Sequence, residues 1–288
     1  MRLLPAATIA SLMSGASITA WRMQGTGVLG RRRASSGVSL LGMRARDAQG
    51  VSAPEASPWN GASGAEVEDF RSRIRGQVIL APLTRGGNLP FRRLCADLGA
   101  NVTLSEMAYA RFLLPKKSGK LADGKELALL KQAENERLFG VQIATNNIGE
   151  GVAAGVMAAE AGANFLDLNC GCPIYEATRR GLGSALLRKP RKLGRLVEGI
   201  VRGVPLPVTV KIRSGIKNQE INSPEVIRVL QEAGVAAVTI HPRTAVQRYT
   251  QPADWGLISS ISSDPEIQVP IIGNGDILTH AEAGRRMG

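Results

Sequence analysis

From residue 77 onward, short apolar runs alternate with polar turns and segments of helical spacing. Gln77–Pro82, Val102–Met107, Phe139–Ala144, Phe165–Asn169, Pro207–Ile212, Ala236–His241 and Val269–Gly273 are each five or six residues long and mostly apolar. Runs that short, bounded by turn residues, predict strands buried on both faces. Between them the helix signals recur. Asn88 with Pro90 reads as an N-cap and first turn. Asn147 with Glu150 is a capping-box pattern for a helix to about Ala161. Ser223-Pro-Glu opens a helix ending at Gly234, and Thr279 with Glu282 caps a last one. Lys116–Glu136 reads as a charged connecting region with some helical spacing. This alternation predicts a parallel α/β fold, best fitted by a TIM-type (β/α)8 barrel over residues 76–288. Seven strands are visible and the eighth is absent. The barrel is therefore expected either to stay open between strands seven and one, with two exposed edges, or to have another segment fill the gap.

The first 75 residues have a different character. All 24 acidic residues lie at Asp47 or later, while residues 1–46 hold seven arginines and no lysine. Rich in Arg, Ser, Ala and Gly, this stretch reads as an organellar transit peptide, with a mitochondrial or chloroplast destination expected and a cytoplasmic one as the alternative. Residues 47–75, with Pro54, Pro58, Gly61 and Gly64, read as a linker. Removing the leader's arginines leaves 36 − 7 = 29 basic against 24 acidic residues, so the body carries +5 of the +12 net charge. RNA binding is allowed by that charge and not demanded by it. No apolar run approaches the ~20 residues that span a bilayer, so no membrane partner is expected. Three cysteines in 288 residues do not make a disulfide framework and point to a reducing compartment.

The candidate chemistry gathers at the strand ends. Phe165-Leu-Asp-Leu-Asn-Cys-Gly-Cys-Pro173 places Asn169, Cys170 and Cys172 at the carboxyl end of a strand, where barrels carry their active sites. Two cysteines one residue apart lack zinc-like spacing, and Cys95, His241 and His280 lie far along the chain, so no metal is expected. Two small buried thiols filling space is one reading, and a catalytic Cys172 is the other. Thr84 and Arg85, Glu106, Gln142, Lys211 with Arg213, His241, and Asn274 with Asp276 end other strands. So many polar ends on one rim suggest a site for a polar, planar, anionic ligand. An ammonium at Lys211 would need an anion or electron-rich ring beside it. Gly273-Asn-Gly-Asp276 offers backbone N–H groups suited to phosphate.

Taken together, these residues resemble one family, the tRNA-dihydrouridine synthases. The resemblance covers about residues 77–288. It is carried by Ala81-Pro-Leu-Thr-Arg-Gly-Gly-Asn-Leu-Pro-Phe-Arg92, Ser105-Glu-Met107, Val141-Gln142, Asp167–Pro173, Gly183-Ser-Ala-Leu-Leu187, Val210-Lys-Ile-Arg213, Thr239-Ile-His-Pro-Arg-Thr244, Gln247–Trp255 and Gly273–Ile277. The wording is most similar to the eukaryotic branch that modifies the tRNA variable loop. The resemblance implies a TIM barrel, an FMN prosthetic group, NADPH (or NADH) as reductant and tRNA as substrate. Pro82 and Leu83 would line the flavin ring, Gln142 and Lys211 would hydrogen-bond it, and His241, Asn274, Gly275 and Asp276 would hold ribityl and phosphate. Asn169 would orient the uracil and Cys172 would be the general acid, with Cys170 a bystander. Arg85, Arg179, Arg180, Arg213 and Arg243 would contact the tRNA backbone. The chain is expected to act as a monomer. It departs from the family pattern at Tyr175-Glu176, at Pro242, in the eighth strand and in the C-terminal helical tRNA-binding domain. An FMN oxidoreductase of small molecules and a non-catalytic remnant are the competing expectations.

Overall fold

The computed structural model describes residues 18–21, 60–115 and 122–287. Strands β2 (Val78–Leu80), β3 (Val102–Leu104), β5 (Leu138–Ala144), β6 (Phe165–Cys170), β7 (Val208–Arg213), β8 (Ala237–His241) and β9 (Ile271–Asn274) are the seven expected ones. Each pairs in parallel with the next. A two-residue strand, β4 (Ala108–Tyr109), lies alongside β5.

The seam between β9 and β2 is filled. Strand β1 (Ile18–Trp21) runs antiparallel to both neighbours, pairing Thr19 with Ile79 and with Asn274. The hydrogen-bonded ring therefore closes with eight strands, seven parallel and one reversed. This selects the second of the two outcomes expected for the gap. Closure removes the two edges that an open barrel would expose. Apart from β1, the expected leader lies outside the described residues.

The stretch expected as linker is in part a helix. Ser63 and Glu66 form a reciprocal capping box that starts α1 (Gly64–Ile74). Its buried face, Phe70 and Ile74, packs under the amino-terminal ends of the strands with Ile79, Leu138, Phe165 and Ile272, and Phe70 meets the Phe165 ring at 5.0 Å. So α1 plugs the bottom of the barrel. The remaining layer is α2 (Leu89–Asp97), α3 (Ala110–Leu113), α4 (Gly124–Ala128), α5 (Ile148–Glu160), α6 (Tyr175–Thr178), a 3-10 helix (Gly183–Arg188), α7 (Pro190–Gly203), α8 (Ser223–Glu232), α9 (Trp255–Ser262) and α10 (His280–Met287).

Strand periodicity decides what faces where. Val141 and Ile143, Leu166, Leu168 and Cys170, Val208, Val210 and Ile212, and Val238 and Ile240 belong to the apolar layer beneath the helices. The alternate residues Gln142, Asp167, Asn169, Thr209, Lys211, Arg213 and His241 point inward. Register then sets them in rows: Gln142 beside Asp167 beside Thr209, Asn169 beside Lys211, and Arg213 beside His241. The barrel thus has an apolar bottom and a polar top.

Candidate active site

A cleft of about 640 Å3 opens at the polar end. Pro82, Leu83, Gln142, Asn169, Cys172, Lys211, Arg213, His241 and Asn274, all expected site residues, share its wall. Its floor is a continuous hydrogen-bond chain. Thr209 Oγ1 donates to Asp167 Oδ1 (2.6 Å) and Gln142 Nε2 donates to Asp167 Oδ2 (2.7 Å). Asn169 Nδ2 then donates to Gln142 Oε1 (2.9 Å). Finally, Asn169 Oδ1 accepts from the backbone N–H of Gly171 (3.2 Å) and Cys172 (2.9 Å). A carboxylate only accepts and a backbone N–H only donates. The two ends therefore fix the orientation of both amides between them. Burial raises the Asp167 pKa, while its bonds from Gln142 and Thr209 and the charge of Lys211 oppose that shift. The chain ends at Cys172, whose loop is held from the other side by Ser184 N–H donating to Cys172 O (2.9 Å).

The two cysteines separate cleanly. Cys170 is fully buried in the apolar layer, and burial pushes its pKa well up, so it is an inert thiol. Cys172 is partly exposed and lines the cleft. Lys211 lies in the same wall, its pKa lowered to about 8 by burial and by the neighbouring Arg213. His241 is 3% exposed. Arg243 Nη1 approaches its Nε2 at 2.9 Å. A guanidinium has no acceptor, so Nε2 accepts and the ring keeps its proton on Nδ1. Burial, then the charges of Lys211, Arg213 and Arg243, push the His241 pKa down to about 2, so the imidazole is neutral.

Several expected site residues are engaged by other protein groups or stand outside the cleft. Arg243, expected on the tRNA backbone, is 1% exposed. Its Nη2 donates to both Asp276 carboxylate oxygens (2.6 and 2.7 Å), and its Nε donates to Gln251 O (2.7 Å). Asp276, expected on the cofactor, commits its carboxylate to that pair and to Ala253 N–H (2.7 Å). The pair gives the buried guanidinium its acceptors, and it leaves the backbone N–H groups of the Gly273–Asp276 loop uncommitted to it. Gly275 lies behind the His241 ring at φ +110°, where a Cβ would come within 2.8 Å of Cδ2. Arg213 is buried in the cleft wall and donates to Thr244 O (2.9 Å), so it reaches only what enters the cleft. Arg85 is exposed on the loop after β2 with φ +64° and stands outside the cleft lining. Arg179 and Arg180 share Glu176 at 2.8 and 3.9 Å.

The sequence reading missed Asp167 as the anchor of the amide chain. It also missed Tyr249, which is 71% exposed at the cleft mouth with the Arg213 and Arg243 guanidinium groups 5.9 and 5.3 Å from its ring. Asp167 had a signal: it is a lone acid in an apolar strand, two residues before Asn169 and so on the same face. Among the described residues no group of three or more His, Cys, Asp or Glu is placed to hold a metal ion, and no helix is long and apolar enough to cross a membrane.

The dihydrouridine synthase (Dus) profile matches residues 79–288. The chain belongs to the dihydrouridine synthase family. It is 40% identical over 229 residues to the tRNA-dihydrouridine(47) synthase (NAD(P)+) of Cryptococcus neoformans, covering 74% of this chain and 31% of the relative. It is 37% identical over 256 residues to the tRNA-dihydrouridine(47) synthase-like protein of Homo sapiens, covering 83% and 37%. A third relative, the tRNA-dihydrouridine(47) synthase of Meyerozyma guilliermondii, is 37% identical over 270 residues, covering 85% and 44%. The chain thus spans between about a third and just under half the length of these curated relatives. Within this family assignment, the barrel, the cleft and the Asn169–Cys172 loop account for nearly all of the matched span.

Proposed function

We propose that this family member reduces uridine in tRNA to 5,6-dihydrouridine, with FMN held in the cleft, NAD(P)H as the source of electrons and Cys172 as the proton donor. The observation that carries the reading is the Cys172 loop. The Cys172 backbone is pinned at both its N–H and its C=O, which holds a partly exposed thiol at the wall of a large polar cleft, while its neighbour Cys170 is sealed in the core. Saturating a 5,6 double bond requires a hydride at one carbon and a proton at the other. A bound, reduced flavin supplies the hydride. The chain's own residues supply the rest. Cys172 gives its thiol proton to the second carbon and is left as a thiolate. Asn169, with its oxygen committed to Gly171 and Cys172 N–H, presents a remaining Nδ2 hydrogen as a donor for a uracil carbonyl.

The cleft residues fit a flavin mononucleotide. Pro82 and Leu83 form an apolar wall for a flat ring, and the Gln142 amide and the Lys211 ammonium face it as polar contacts. Burial lowers the Lys211 pKa to about 8 against the opposing charge of Asp167, so an anionic or electron-rich ligand in the cleft would add to the stabilisation of this ammonium. Neutral His241 can donate only through Nδ1. A uridine inside tRNA would have to leave its stack to reach this depth.

The test is the visible spectrum of the desalted protein followed by reduction of unmodified tRNA transcripts. Cys172→Ala is expected to keep its flavin absorbance and lose most tRNA reduction, and Cys170→Ala to change little. Equal losses in both variants refute Cys172 as the acid. A protein that carries no flavin after reconstitution refutes the cofactor.

A further inference from the structure

Arg188-Lys-Pro-Arg-Lys-Leu-Gly-Arg195 holds five cations in eight residues. Arg188, Lys189, Arg191, Lys192 and Arg195 are all exposed. Among the described residues none of the five lies within ion-pair distance of an acid, whereas Arg202 on the same helix is paired with Glu198 at 2.6 Å. No acid occurs between Gly183 and Val197. The first turn of α7 carries Arg191 and Lys192 and no acidic residue. Cations there oppose the helix dipole. Arg191 with Arg195 is also a like-charged pair four residues apart within α7, which destabilises a helix. The opposite face of α7, with Leu193, Leu196, Val197 and Ile200, is packed in the core. The fold therefore gains nothing from this charge and loses a little by it. An anionic partner outside the fold is what would offset the cost.

Position names the partner. The 3-10 helix that ends at Arg188 begins at the Cys172 loop, through Ser184 N–H on Cys172 O. Four residues at roughly 2 Å each bring Arg188 to about 8 Å from that contact. Seven more at about 1.5 Å carry the patch on to Arg195, about 10 Å further. The patch thus starts beside the cleft rim and continues along the first turns of α7, over about the length of three backbone phosphates. Arg179 and Arg180, on the same rim, are already shared with Glu176.

We infer that Arg188, Lys189, Arg191, Lys192 and Arg195 form a phosphate-backbone track for the tRNA strand flanking the nucleotide that enters the cleft. The inference rests on the tRNA reading above. Its sequence-independent contacts would set the register of the strand without reading bases.

The experiment is fluorescence anisotropy of a labelled unmodified tRNA transcript with the full chain, titrated from 50 to 200 mM KCl. Two variants are compared with wild type: Arg191→Glu with Arg195→Glu, and a charge-matched control, Arg73→Glu with Arg137→Glu, at the opposite end of the barrel. Each lost phosphate contact flattens the log K against log salt slope by about 0.7–0.9. The patch variant is therefore expected to bind on the order of tenfold more weakly at 50 mM KCl, with a slope shallower by about 1.4–1.8. The control is expected to keep the wild-type slope, and the patch variant to keep the wild-type melt and Cys172 alkylation rate. A patch variant with wild-type affinity and slope overturns the inference and leaves the tRNA reading standing. Equal weakening in the control overturns it too, by showing only bulk charge. A wild-type chain that binds no tRNA refutes the functional reading itself, and the track with it.

Discussion

The substitution Gln142→Glu changes one amide nitrogen to oxygen in the middle of the cleft floor, at a site 1% exposed. One oxygen of the new side chain still accepts from Asn169 Nδ2. The other meets Asp167 Oδ2 across the 2.7 Å now bridged by the amide N–H. Turning the carboxylate over gains nothing, because Asp167 has no hydrogen to give and the backbone N–H groups of Gly171 and Cys172 hold Asn169 in place. Two carboxylates at that separation cannot both ionise, so one proton must stay. Once protonated, the introduced carboxyl would donate to Asp167 and accept from Asn169, as the glutamine does. Against an ordinary glutamate value of about 4.3, the shared proton is expected to titrate about 3 units higher in the folded state. At roughly 1.36 kcal/mol per unit that is about 4 kcal/mol, or a melting temperature lower by about 8–16 °C at neutral pH. The sign follows from the raised value. The folded variant is nearest to wild type below about pH 4.3, falls behind as pH climbs to about 7, and stays behind above it. Thermal melts of both proteins from pH 4 to 8 read this directly, with iodoacetamide alkylation of Cys172 reporting on the end of the chain. A variant whose deficit does not grow with pH would refute the assignment of amide orientations, and with it the role given to Asp167.

Other consequences are expected. Arg92 is 1% exposed and donates to Glu136 Oε1 (2.8 Å), Gly87 O (3.1 Å) and Lys131 O (2.6 Å), tying the loop after β2 to the barrel. Arg92→Met should cost about 3–5 kcal/mol by stranding Glu136, and a loss under about 1 kcal/mol in denaturant titrations would contradict that. The lowered His241 pKa means that the unfolded chain binds a proton the folded ring refuses below about pH 6.5. Stability from this residue should therefore fall by about 2 kcal/mol between pH 7.5 and 5. His241→Asn should remove that part of the acid sensitivity, and an unchanged profile would count against it. Gly183 has φ +60°, and an added Cβ would lie 2.4 Å from Cys172 O. Gly183→Ala is expected to destabilise by about 1–3 kcal/mol and to alter Cys172 alkylation. A melt and alkylation rate identical to wild type would refute the close approach.

The local pattern alone determined much of this protein. Seven apolar runs separated by capped helices fix a parallel barrel, because only helices on the outer face can cover strands that are apolar on their outward side. The Asn169-Cys-Gly-Cys-Pro motif and the polar strand ends located the cleft, because a parallel barrel gathers its strand ends at one rim. Period-two alternation puts Cys170 on the face of Leu166 and Leu168, where it is sealed with them, and Cys172 escapes that face because the strand ends at Cys170 and the Gly171–Pro173 turn carries it to the cleft. Tertiary structure decided what depended on distant partners. A four-residue segment near the start closes the ring because its free N–H and C=O groups meet two unpaired edges, which no local signal in residues 18–21 announces. Arg243 and Asp276, 33 residues apart, neutralise each other, so a residue that reads as a surface cation is 1% exposed. The orientation of Gln142 and Asn169 was settled by partners at both ends of a chain through three strands. An amide reads the same in sequence whichever way it points, and only a neighbour that must accept or must donate removes the choice.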